Sequence, residues 1–112
     1  MISYDDFKKV DIRIGQILSV EEVPDTDKLL HLLVDFGEDE PRHLVSGIRQ
    51  YVDDPQSLVG KKTTWVFNLE PRTIKGIESN GMLFAASYGE GEDKHFSFIV
   101  PEKDMPPGTR LG

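Results

Sequence analysis

The stretch "YVDDPQSLVGK", residues 51–61, decides how the rest of the chain is read. Asp54 carries a side chain suited to accept from free amides at a helix start, and Pro55 has its φ preset for a first helical position. Gly60 suits the stop. The segment reads as a short helical turn, and what lies on either side reads as strand. "RHLVSGI" (42–48) precedes it, and "TTWVFNL" (63–69), rich in β-branched and aromatic residues, follows it. Further back, "LLHLLVDF" (29–36) fits helix or strand by apolar pattern alone. Its length and its flanking turns, "VPDTDK" (23–28) and "GEDEP" (37–41), favour strand. "DIRIGQILSV" (11–20) alternates through Ile12 and Ile14 and breaks step at Gly15, where a glycine inside a strand marks a bulge or a sharp bend. "GMLFAAS" (81–87) is the fifth strand.

The order is strand, strand, strand, short helix, strand, strand. It is the order of an all-β, five-stranded OB-fold Greek-key barrel with a short helix between strands 3 and 4. An unrelated small β-barrel or sandwich is the rival on pattern alone. The expected organisation is one domain over residues 1–112, with the barrel at about 11–87. Extensions at 1–10 and 88–112 lie outside it. "SYDDFKKV" (3–10) places Asp6 three residues after Ser3, a capping box ahead of an N-terminal helix whose apolar side is Phe7 and Val10. "HFSFIV" (95–100) is a C-terminal strand, and "MPPGTRLG" (105–112) a rigid final extended piece. Phe96, Phe98 and Val100 alternate along that strand, and left bare they would invite aggregation. With Tyr4, Phe7 and Val10 they predict a homodimer built from both ends.

A chain of 112 residues can bury one real core, and 38% hydrophobic with 29% charged residues is ordinary for a globular protein. Cysteine is absent, which excludes disulfide scaffolds and thiol-based metal or redox chemistry. No apolar run approaches the ~20 residues of a membrane span. The N-terminus has no signal-peptide pattern, so the expected location is cytoplasmic and no membrane partner is expected. The net charge of -7 argues at first against nucleic acid. Its distribution argues the other way. Residues 41–77 hold Arg42, Arg49, Lys61, Lys62, Arg72 and Lys75 against Asp53, Asp54 and Glu70, a net of +3 that leaves -10 for the rest. Surface charge of this kind also arises from plain solvation.

Three stretches together resemble the tRNA-binding domain family. Its members include the C-terminal domain or β-subunit of methionyl-tRNA synthetases and stand-alone structure-specific tRNA-binding proteins. The stretches are "FKKVDIRIGQI" (7–17), "VPDTDKLLHLLVDFG" (23–37), and "VSGI" (45–48) followed by "LVGKKTTWVFNLEPRTIKGIESNGMLFAAS" (58–87). Each alone is weak; the ordered set, above all "NLxP…GIxSxGM", is specific. The resemblance covers almost the whole chain and implies an OB barrel that binds tRNA by shape and backbone, without catalysis. It also implies a homodimer, and a catalytic aminoacyl-tRNA synthetase is a further partner to expect.

On this resemblance "EPRTIKG" (70–76) is the rim between the fourth and fifth strands, where Arg72 and Lys75 reach a phosphodiester backbone. Gly76 and Gly81 permit close backbone approach. Ser79 either bonds a phosphate or 2′-OH or stabilises its own turn. Met82 either meets a base or belongs to the core. Asn68 either caps the end of its strand or meets RNA, and Lys28 of "TDKL" matches the family's motif. Arg42 and Ser46 share one face of the third strand with Leu44. The expected RNA-binding set is therefore Lys28, Arg42, Ser46, Asn68, Arg72, Lys75, Ser79 and Met82. Glu70 and Thr73 depart from the family's pattern, since both positions commonly carry basic residues.

Catalysis finds little in the sequence. Ser46, His43 and Asp35 can be named as a triad, but nothing resembles a nucleophile elbow. His31, His43 and His95 lack metal-ligand spacing, and Asp25 and Asp27 suit a turn. There is no phosphate-binding glycine loop, so neither a cofactor nor aminoacylation by this chain alone is expected. The second reading is a dimeric secretion-type chaperone of the same fold, which would use an apolar groove where tRNA needs a basic rim.

Overall fold

The barrel is built around one long strand. In the computed structural model, which describes residues 1–112 throughout, β1 runs from Ile12 to Glu22. Its first half pairs antiparallel with β4 (Lys62–Val66) and its second half with β2 (Leu30–Asp35). The latter pairs with β3 (Arg42–Ser46), and β4 pairs with β7 (Met82–Leu83). The resulting order β3-β2-β1-β4-β7 is the expected Greek-key order. The barrel nearly closes between β3 and the chain before β7. There the Val45 amide donates to Ser79 Oγ at 3.0 Å and the Asn80 amide to the His43 carbonyl at 2.9 Å.

A strand shared by two parts of a barrel must turn sharply. The register of β1 against β2 slips between Ile17 and Ser19, leaving Leu18 outside and half-exposed. The bulge therefore sits at Leu18, beyond the glycine where the pattern places it. Gly15 is needed for a different reason. A β-carbon there would lie 2.6 Å from the Phe36 ring and from Val34, and 2.8 Å from Trp65. Its absence lets Phe36 and the fully buried Trp65 close over β1, with Ile17, Leu30, Leu32, Val34 and Leu44 completing the centre of the core.

The expected helical turn forms as two short 3-10 segments, Arg49–Tyr51 and Pro55–Leu58. Asp54 Oδ1 accepts from the Gln56 amide at 3.1 Å, as its position before Pro55 suggests. Leu58 is buried in the core, and Gln56 Nε2 reaches the Val20 carbonyl at 2.9 Å.

The expected fifth strand is divided. β5 (Arg72–Ile74) and β6 (Ile77–Ser79) form a hairpin of their own before β7. β8 (Ala85–Tyr88) then leaves the barrel and pairs with β9 (His95–Phe98). At the N-terminus, α1 (Tyr4–Lys8) has both bonds of the Ser3–Asp6 capping box. At the C-terminus, β10 (Arg110–Leu111) pairs with the start of β1. Phe96 and Phe98, expected outside the barrel, fold back against its core, and Phe96 stacks on Tyr51 at 5.0 Å. Tyr4, Phe7, Val10, Ile99, Val100 and Met105 stay exposed. No helix is long and apolar enough to cross a membrane.

Candidate nucleic-acid interface

Most of the chain's 13 lysines and arginines are already engaged. Lys9, Arg13, Arg42, Arg49, Lys62 and Arg110 each pair with a carboxylate. Lys8, Lys61 and Lys94 lie over aromatic rings. The Arg13–Asp11 pair is two-pronged, with hydrogen bonds of 3.0 and 2.9 Å. Hydrogen bonds from Arg13 hold the Asp11 carboxyl below the usual range, and the same bonds raise Arg13. Four cations remain without carboxylate, ring or hydrogen-bond partner: Lys28, Arg72, Lys75 and Lys103. One of these four lines a cleft, and two more adjoin residues that line it.

The cleft is open, with a volume of about 700 Å³, and lies between β3 and the β5–β6 hairpin. Arg72 lines it directly. Lys75 stands at the tip of the hairpin, and Lys28 precedes Leu29, which lines the cleft on the other side. The hairpin tip is a two-residue loop, Lys75-Gly76, with φ of 51° and 78°. Positive φ at both positions is the pattern of a type I′ turn, in which asparagine-glycine is the preferred pair. A lysine is strained there.

Ser46, Ser79 and Met82 also line the cleft. Ser79 is buried, and its Oγ already accepts from Val45, so it both closes the barrel and faces the cleft. Met82 is half-exposed, which places it at the cleft surface and outside the core. Gly81 is a matter of packing, since a β-carbon there would meet Leu44 at 2.9 Å.

The structure sets two of the expected residues apart from this group. Asn68 ties the end of β4 to the chain entering β1: Oδ1 accepts from the Asp11 amide at 2.9 Å and Nδ2 donates to the Lys9 carbonyl at 2.6 Å. Arg42 binds Glu38 through two nitrogens and donates to the Phe67 carbonyl at 2.7 Å. Its guanidinium also lies 3.7 Å from the Phe67 ring centroid. It shares the inward face of β3 with the buried Leu44, as the strand period requires. Pattern alone left out Leu29, Val45 and Leu69, which supply the cleft's apolar lining. Their signal was their position beside Lys28, Ser46 and Asn68.

A Greek-key barrel with a free basic rim around a cleft defines an OB-type binding domain. Residues 12–110 match the family described as "Putative tRNA binding domain", and the chain belongs to that tRNA-binding domain family. The methionine–tRNA ligase of Methanococcus aeolicus is 43% identical over 111 residues, covering 99% of this chain and 16% of that protein. The chain thus spans about one sixth of the length of the curated relatives it matches. Among solved structures, a MetRS-related protein from Pyrococcus horikoshii superposes with a TM-score of 0.86 at 37% identity, covering 100% of this chain and 98% of that one. The chaperone CsaA from Bacillus anthracis superposes with a TM-score of 0.82 at 27% identity, covering 100% and 99%.

Proposed function

We propose that this chain binds tRNA by shape and backbone, with no chemistry of its own, as an accessory to methionyl-tRNA synthetase. The observation that carries this reading is a cleft lined by Arg72 and adjoined by Lys28 and Lys75, next to the lining residues Leu29 and Ile74, all three cations free of partners in an otherwise acidic protein. Free cations can exchange counterions for phosphates without first breaking an ion pair. The relatives named methionine–tRNA ligase support the partner, and a catalytic synthetase supplies the reaction this domain lacks. The cytoplasm is the compartment that this reading assigns to it. Weak binding at such a small rim suits an accessory that adds affinity to a partner holding the same tRNA.

Titration with bulk tRNA at several salt concentrations tests the reading. Log affinity falls linearly with log salt. Lys75→Glu or Arg72→Glu weakens binding to different tRNAs by a similar factor, about tenfold. Binding that is indifferent to both rim reversals sinks the assignment.

The likeness to the chaperone CsaA and the apolar floor of the cleft favour one second reading, a protein-binding chaperone. It predicts saturable binding of unfolded peptide with little dependence on salt. The proposed assembly is a homodimer in both readings, formed by the apolar residues that the fold leaves bare at the two ends. Tyr4, Phe7 and Val10 line one groove with Leu111, and Ile99, Val100 and Met105 line a neighbouring one.

A further inference from the structure

Backbone recognition leaves two features of the cleft without a use. Glu70 is exposed, lines the same cleft as Arg72 and has no cationic partner. A carboxylate there repels phosphate. The floor, with Leu29, Val45 and Met82, offers a phosphate nothing either. Both features suit an unpaired nucleobase. Its flat faces rest against apolar side chains and its edge carries N–H donors. At about 700 Å³ the cleft is in the size range of small-ligand sites. Ser79 adds a polar point at the wall: its Oγ accepts from Val45, so its hydroxyl proton is left to donate.

The bases differ in what they present to a carboxylate. Guanine offers two adjacent donors, N1–H and N2–H, which match the two oxygens of one carboxylate. Adenine and cytosine each place an acceptor beside their single amino group. Uracil flanks its one N–H with two carbonyl oxygens. We infer that the cleft receives an unpaired guanine of the bound RNA, with Glu70 accepting from its Watson–Crick edge and Arg72 beside it taking the flanking phosphate. Glu70 then becomes a specificity device. This inference rests on the RNA-binding reading above.

Labelled uridine hexamers, one with a central guanosine and others with a central adenosine or cytidine, test it by fluorescence anisotropy. The guanosine hexamer binds about tenfold tighter than the all-uridine one. Glu70→Gln, at an exposed position with no hydrogen bond to lose, removes that preference while affinity for the all-uridine hexamer holds or rises. Equal affinity for all the hexamers overturns the inference. So does a Glu70→Gln variant that tightens every hexamer by one common factor, since Glu70 would then set only the local charge. Failure of all hexamers to bind, with tRNA binding still weakened by Lys75→Glu, overturns the guanine site and leaves the RNA-binding reading standing. Loss of both the Lys75→Glu and the Arg72→Glu effects on tRNA brings down that reading itself. Peptide binding without preference among the hexamers gives the cleft to protein and overturns the guanine site.

Discussion

Lys75 and Arg42 show how two basic residues come to sit in different surroundings. Lys75 has φ of 51° at the tip of the hairpin, a conformation that favours asparagine or glycine. Lys75→Asn therefore stabilises the fold by about 0.5–1 kcal/mol and weakens tRNA binding. Chemical denaturation and a tRNA titration on the same variant read the two effects. Greater stability with undiminished binding would leave the strained lysine without a purpose. Arg42 has the opposite profile. Its donors are taken by Glu38 and the Phe67 carbonyl and its plane by the Phe67 ring. Arg42→Ala lowers stability by about 1–2 kcal/mol, through the lost hydrogen bonds and ring contact. The melting curve checks it, and an unchanged midpoint would show Arg42 to be free for RNA. In sequence the two residues look alike, since an arginine on a strand and a lysine in a loop are both solvated cations until their neighbours are known.

At the scale of elements, β2 and β3 are joined on their outer face by an imidazole pair. His31 Nε2 and His43 Nδ1 lie 2.9 Å apart, so one donates and the other accepts. Burial lowers the pKa of His31 from 6.5, the neighbouring His43 lowers it further, and Glu21 opposes the shift. The unfolded chain therefore binds the His31 proton more readily than the folded one. Stability rises with pH through the window between the lowered value and 6.5. It is fully present above 6.5 and lost as the pH falls through the folded-state value. Thermal melting across that window reads the slope, and His31→Gln flattens it. A slope that survives the substitution belongs to another group. The strands themselves were legible in the alternation of apolar residues, and the Ser3–Asp6 and Asp54–Pro55 caps in local spacing. The β5–β6 hairpin was not, because its strands are three residues each and Lys75-Gly76 is a weak form of the turn signal.

For the molecule as a whole, the open question of assembly is one of uncovered apolar surface. The C-terminal strand turns its phenylalanines onto its own barrel, so the dimer proposed above rests on the N-terminal segment with Leu111 and on residues 99–105. Sedimentation equilibrium at micromolar concentration shows a dimer, and Phe7→Glu with Val100→Glu gives a folded monomer. The proposal fails if the wild-type chain is monomeric, or if that double variant still dimerises. A two-fold pair presents two rims to one tRNA, so the monomeric variant also binds tRNA more weakly through lost avidity.

The sequence by itself determined the strand order, the helical turn between strands 3 and 4, the caps and the family. All of these are carried by local pattern: period-two alternation, turn residues and short motifs. Only the tertiary structure decided which cations are free: Arg13 finds Asp11 two residues away, but other partners lie far away in the chain. Arg42 meets Phe67 and Lys62 meets Asp104. The same holds for Asn68, whose partners are the Lys9 carbonyl and the Asp11 amide. The tertiary structure also decided the place of the bend in β1. Gly15 marks where the rings of Phe36 and Trp65 press on the backbone, and the bulge falls at Leu18, where the strand passes from β4 to β2. A glycine records that something must come close; what comes close is settled only when the chain is folded.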